Sequence, residues 1–110
     1  MEAGRMRSRI RIQQMEYKKD SSGQRVGSWV DFCTIWAEVQ CTDSKLISDD
    51  GVIQHEGLYR FYIRYRHGIT PEMRVVWKDH GKERIFTMVG PPADWKTQRT
   101  GLTLLCKELL

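Results

Sequence analysis

The sequence has no run near the ~18 consecutive apolar residues that a membrane-spanning helix needs. Residues 1–11 carry arginines where a secretory leader would carry an apolar core, so the expectation is a chain that stays in the cytoplasm where it is made. Histidine is sparse: His55, His67 and His80 each fall in a predicted loop or turn, with no HxxH or HExxH spacing. There is no GxSxG elbow, P-loop or GxGxxG segment either. The three cysteines are an odd number, which argues against a disulfide framework. Cys33 and Cys41 share one face of one predicted strand and would stand ~26 Å apart, too far to bridge. They also lack the CxxC spacing of zinc sites, and read best as buried free thiols acting as small hydrophobes. With no nucleophile–base pattern and no ligand spacing, the expectation is a binding or structural protein, not an enzyme, with no metal and no cofactor.

What is present is strand patterning and uneven charge. At 110 residues the chain is expected to form one domain with a single modest core. The net charge is +4, and residues 1–19 supply it with six basic residues against two acidic ones. Residues 42–57 have the opposite sign, with Asp43, Asp49, Asp50 and Glu56 against Lys45. Such asymmetry suits a small protein that meets a charged surface or a copy of itself.

Residues 58–77 form the most strongly patterned block. Phe61, Ile63 and Tyr65 alternate with Arg60, Tyr62, Arg64 and Arg66, as a half-buried strand requires. Gly68 and Pro71 read as structural turn residues, after which residues 74–77 resume an apolar strand. Upstream, Met6, Ile10 and Ile12 alternate with Arg5, Arg7, Arg9 and Arg11. That arginine face is either a stripe for phosphates or an acidic partner, or a solvated face protecting an edge strand. Residues 18–24 have hairpin-turn chemistry. Residues 29–41 read as a strand whose polar side includes Trp36, either packed beneath the next segment or exposed as a partner anchor. Residues 42–57 break the pattern and predict a long, protruding loop with room for a short helix at 44–48. Residues 79–82 predict a tight hairpin turn and 83–90 a strand stopped by Pro91 and Pro92. A polar loop around Trp95 and a final strand at 101–108, with Leu102, Leu104 and Cys106 inward, complete the chain. About six short strands and no convincing helix predict a small antiparallel β-barrel, with a long loop between strands two and three.

These segments together resemble the phage head–tail joining family, the head-closure or stopper subunits of tailed phages. The matching pieces are RIRIQ, TIWAEVQ after an upstream Trp29, IRYRHGITPEMRVVW, ERIFTMVG and LTLLCKEL, in that order over nearly the whole chain. The resemblance implies a β-barrel assembling into a ring beneath the portal and adaptor of the head. There it would help close the DNA channel, retain the packaged genome and offer a platform to tail-completion or tail-terminator proteins. It places the channel-closing role on loop 42–57, through Lys45, Ser48, Asp49, Asp50, Gln54, His55 and Glu56, acting on packaged DNA sterically and without sequence preference. Arg5, Arg7, Arg9, Trp36, Arg64 and Arg66 become candidates for subunit and portal–adaptor contact. The competing reading is a stand-alone oligonucleotide-binding β-barrel, since arginines interleaved with Tyr62 and Tyr65 could hold phosphates and stack bases. A small hydrolase is a remoter third.

Overall fold

The computed structural model describes residues 6–47, 53–94 and 99–109. Six strands follow one another: β1 (Ser8–Lys19), β2 (Arg25–Ile47), β3 (Ile53–Arg64), β4 (Arg74–Asp79), β5 (Lys82–Met88) and β6 (Gly101–Glu108). They form one antiparallel sheet that closes into a barrel in the order β1-β2-β3-β6-β5-β4. The all-β barrel expected from the periodicity is therefore what forms.

Local chemistry sets the two tight reversals. Between β1 and β2, the Asp20 carboxylate accepts hydrogen bonds from the Ser22 hydroxyl at 2.7 Å and from the Ser22 and Gln24 amides at 2.9 Å. Gly23 completes that turn at φ +83°. Between β4 and β5, His80 and Gly81 both take positive φ, 49° and 83°. Two positive-φ residues in a two-residue loop match the twist of the strands they join.

Residues 58–77 are not a hairpin. β3 pairs with β2 and β6, and β4 pairs with β1 and β5, so residues 65–73 cross the end of the barrel. Gly68, at φ +94°, lies on this crossing, and the Met73 amide donates to the Thr70 carbonyl at 3.1 Å around Pro71.

The core is the inner face of the closed sheet. Ile10 and Ile12 of β1, Ala37 of β2, Phe61 and Ile63 of β3, Val75 of β4, Phe86 of β5, and Leu102, Leu104 and Cys106 of β6 are buried there. Phe61 and Phe86 meet edge-to-face with centroids 5.0 Å apart, and Tyr59 meets Phe86 in the same way. Such pairs add about 0.5–1.5 kcal/mol beyond the area they bury. Of the three cysteines only Cys106 is buried; Cys33 is half-buried and Cys41 is exposed, which corrects the expectation of buried thiols throughout.

The largest departure from expectation is the length of β2. It begins at Arg25, four residues earlier than predicted, and runs to Ile47. Residues 42–47 pair with 53–58 in unbroken register from Thr42↔Leu58 to Ile47↔Ile53. Most of the predicted loop is thus an antiparallel ribbon, and strand through Ile47 takes the place where the sequence left room for a short helix at 44–48. The physical reason is cooperative: once Ala37↔Ile63 through Cys41↔Tyr59 are in register, each further pair adds ladder hydrogen bonds. That outweighs the weak strand propensity of Asp and Ser.

A straight strand of 23 residues would span ~76 Å, yet the longest dimension of the molecule is 46 Å. β2 therefore bends. Its register against β1 shifts between Ile12 and Gln13, where Cys33 and Asp31 are partnered and Phe32 is the extra residue. A bulge of this kind bends the strand that carries it. Two ribbons result. One is β1–β2 beyond Gln13, which has no third strand among the described residues; the other is β2–β3 beyond Leu58, where the β6 pairing stops. They account for a radius of gyration of 16.2 Å, against about 13 Å for a compact domain of this length.

Candidate docking site at Trp36 and the projecting ribbons

Three of the residues singled out from the sequence converge. Arg9 and Trp36 are directly opposed on β1 and β2, and the Arg9 guanidinium lies 4.9 Å from the centre of the indole ring. Arg64, at the end of β3, lines the same shallow cleft of about 250 Å³, together with Met6, Thr34 and Ile35. Trp36 is 51% exposed, which resolves its placement: the indole is not packed beneath another segment of the described chain. Strand alternation explains the grouping, because Ala37 points inward opposite Ile63 and so turns Trp36 and Arg64 out together.

The other candidates lie apart from this cleft. Arg7 is exposed two residues ahead of Arg9, and Arg5 is outside the described residues. Arg66 sits on the crossing segment with its guanidinium 5.5 Å from the Phe32 ring, at the bulge. A Cβ on Gly68 would lie 3.1 Å from the same ring, so the crossing segment is seated on Phe32. Lys45, Gln54, His55 and Glu56 fall in the ladder of the β2–β3 ribbon, where Lys45 opposes His55 and Leu46 opposes Gln54. Ser48, Asp49 and Asp50 lie outside the described residues.

Sequence reasoning missed two polar clusters. At one mouth of the barrel, Arg84 lies on the same face of β5 as inward Phe86, two residues away. It donates to both oxygens of Glu108, at 2.9 and 2.8 Å, and to the Tyr59 hydroxyl at 2.7 Å. It also pairs with Asp79 at 3.3 Å and lies over the rings of Tyr59, Trp77 and Phe86. The bond to Glu108 drives the Arg84 pKa up, and the bond from Arg84 holds Glu108 below the ordinary carboxylate range. The second cluster sits where the β1–β2 ribbon leaves the barrel. Buried Gln13 donates to Asp31 at 2.9 Å and accepts from Arg74 at 2.8 Å, while Arg74 lies 4.4 Å from the Trp29 ring centre. Arg11 adds pairs to Asp31 at 3.8 Å and Glu83 at 3.4 Å. Further along that ribbon Tyr17 lies over Gly27, where a Cβ would come within 2.9 Å of the ring, and stacks with Arg25 at 4.2 Å. A signal for the first cluster was available: extending the inward alternation of Phe86 and Cys106 by two residues reaches Arg84 and Glu108.

The groups gathered at the surface are guanidiniums and an indole on a small closed β-barrel with two projecting ribbons. Such groups suit contact with a partner surface. This is the build of an assembly module. The chain belongs to the phage head completion protein family, whose model matches residues 1–109. It is 31% identical over 108 residues to the head completion protein gp7 of Enterobacteria phage HK97, an alignment covering 97% of this chain and 96% of that one. The solution structure of protein SF1141 from Shigella flexneri 2a superimposes with a TM-score of 0.71 at 30% identity, covering 98% and 96% of the two chains. A chain from the virion of a native gene transfer agent particle shares the fold, with a TM-score of 0.61 at 18% identity over 92% and 93%. The family resemblance carried by RIRIQ, TIWAEVQ and IRYRHGITPEMRVVW therefore holds, and the protein is a structural component of the phage head, carried in the virion.

Proposed function

We propose that this head completion protein forms a ring beneath the portal and adaptor, where it joins the head to tail-completion or tail-terminator proteins and helps retain the packaged genome. The observation that carries the reading is the β2–β3 ribbon. It extends past the last β6 partner at Leu58 and belongs to the segment with four carboxylates against one lysine. Ribbons repeated around a ring narrow an axial channel, and their carboxylates repel the phosphates of DNA rather than bind them. The closing action is then steric and electrostatic, with Lys45, Gln54, His55 and Glu56 in its paired strands and Ser48, Asp49 and Asp50 between them. Arg7, Arg9, Trp36, Arg64 and Arg66 supply contacts to neighbouring subunits and the adaptor.

The test is a ribbon shortened by replacing residues 45–55 with a two-residue turn. Heads completed with that variant should acquire the protein yet lose packaged DNA. Normal DNA retention would refute the closing role. The oligonucleotide-binding alternative is favoured by one feature, an exposed Trp36 between two arginines. A salt titration separates the readings: a DNA binder shows tight binding to free duplex or single strand that falls steeply with salt, whereas a closing subunit binds free DNA poorly.

A further inference from the structure

We propose that one face of the β1–β2 ribbon docks an extended acidic segment of another virion protein, with carboxylates on Lys19, Arg25 and Arg74 and apolar side chains on Tyr17, Met15 and Trp29. This deepens the joining role proposed above and rests on it. The first observation is how the register sorts the ribbon. Met15↔Trp29, Tyr17↔Gly27 and Lys19↔Arg25 are alternate pairs and share one face, while Glu16↔Ser28 and Lys18↔Val26 share the other. Beyond the Gln13↔Asp31 pair, the first face carries Lys19 and Arg25 and no carboxylate, and Arg74 stands at its root, 4.4 Å from the Trp29 ring centre. Tyr17 is 54% exposed and Trp29 36%, and no third strand covers the ribbon among the described residues. A two-stranded ribbon is marginal on its own in water, and a partner laid along it supplies the missing layer.

The second observation is that the guanidiniums are held in place. A Cβ on Gly27 would meet the Tyr17 ring and the Met15 sulfur at 2.9 Å, so glycine lets Tyr17 lie across the ribbon, with Arg25 4.2 Å from its ring centre. Arg74 is fixed by the bond from its Nε to Gln13 at 2.8 Å. Cations held before a partner arrives lower the ordering cost of a bidentate bond to a carboxylate. The third is spacing. Arg25 is six residues from Asp31, the cross-strand neighbour of Gln13, so the two cationic stations stand ~20 Å apart, the span of about seven extended residues. The fourth is place. The β1–β2 ribbon uses residues 25–31 of β2 and the β2–β3 ribbon uses residues 42–47, at opposite ends of one strand. A ring that turns the second ribbon toward its channel turns the first toward the proteins around it. DNA in the channel is then out of reach, and guanidiniums seated on the rings leave no open stacking platform. A second copy fits less well too. Among the described residues, Asp31, Glu83 and Glu108 are paired with the chain's own arginines, and Asp20 and Asp94 accept bonds in its own turns.

The test uses the full-length protein and a capped seven-residue peptide with glutamate at both ends, valine at its third and fifth positions and serine elsewhere. The readout is the indole N–H resonance of Trp29, which should move as the peptide rises to about 1 mM, where even weak binding registers. The same peptide with lysine for glutamate should leave it fixed. The variant K19E/R25E, checked for wild-type circular dichroism, should weaken the binding at least about tenfold. Lys18→Glu, a charge reversal on the opposite face, should stay within about threefold of wild type. A resonance that stays fixed with the glutamate peptide, or a Lys18→Glu loss equal to that of K19E/R25E, overturns the proposal. So does a stronger response to oligothymidylate than to the peptide, or a response to protein concentration alone that K19E/R25E abolishes. Added to heads that lack this protein, K19E/R25E should fail to join them to tails where the wild type succeeds. If the variant joins them normally, the ring reading stands and the docking face falls; if the wild type adds no ring at the portal vertex, both fall.

Discussion

Replacing Arg84 with methionine probes how the barrel mouth is held. The guanidinium gives two bonds to Glu108 and one to Tyr59, with side chains 18% and 21% exposed for Arg84 and Glu108. Removing one partner of a fully buried pair costs about 3–5 kcal/mol, chiefly by stranding the other charge. Water reaches this pair in part, which reduces the expected loss for Arg84→Met to about 2–3 kcal/mol. Unfolding entropy of about 2.1 cal/mol/K per residue gives about 4 °C per kcal/mol for a chain of this length, so Tm should fall by about 8–12 °C. The double variant R84M/E108L leaves no stranded charge and should recover to within about 1 kcal/mol of wild type. Thermal unfolding followed by circular dichroism reads both. An Arg84→Met loss below about 2 °C would refute the role assigned to the pair. A double variant as unstable as the sum of its singles would refute the stranded-charge reasoning.

Three further outcomes follow from the same structure. Because Glu108 is held below its ordinary value of 4.5, its contribution to stability is present above that pH and is lost as pH falls through the lower folded value. Tm should therefore drop on acidification below about pH 4.5 in the wild type and less so in Arg84→Met, and parallel curves would contradict this. Gly68→Ala and Gly81→Ala both place a side chain at positive φ, about 1–3 kcal/mol each, but only Gly68 also meets Phe32 at 3.1 Å. Gly68→Ala should be the more damaging by thermal melt, and equal losses would show that Phe32 is not a seat for the crossing segment. Burial pushes the Cys106 thiol up to about 12 and raises Cys33 as well, while Cys41 is exposed. Alkylation of the native protein should label Cys41 first and spare Cys106, and labelling of Cys106 at the Cys41 rate would show that the barrel opens.

The barrel was legible because its strands obey a period of two. Phe61 and Ile63, Leu102 and Leu104, Ile10 and Ile12 each appear at alternate positions, and each pair lies in the core. The turns were legible where a residue type has one use, as with Gly23 and Gly81 at positive φ. Residues 42–47 and 53–57 were not, because their polar composition signals a loop while their pairing is decided by the register already set at Ala37↔Ile63. Phe32 carried no signal of a bulge, since a bulge is defined by the partner strand and not by the residue. The partnership of Arg84 with Glu108 needed the β5–β6 pairing, which brings residues 24 apart in sequence together at the barrel mouth. At the candidate site, Arg9, Trp36 and Arg64 could be picked out singly by type. Their shared cleft depended on β1, β2 and β3 lying side by side.

The central claim is that this head completion protein occupies the portal vertex as a ring. Purified tail-less heads that lack it, mixed with the protein and imaged by negative stain, test that claim most directly. The account predicts added ring-shaped density at the portal vertex, on the side that receives the tail. Heads whose portal vertex is unchanged, with the protein bound elsewhere on the shell or not at all, would contradict it.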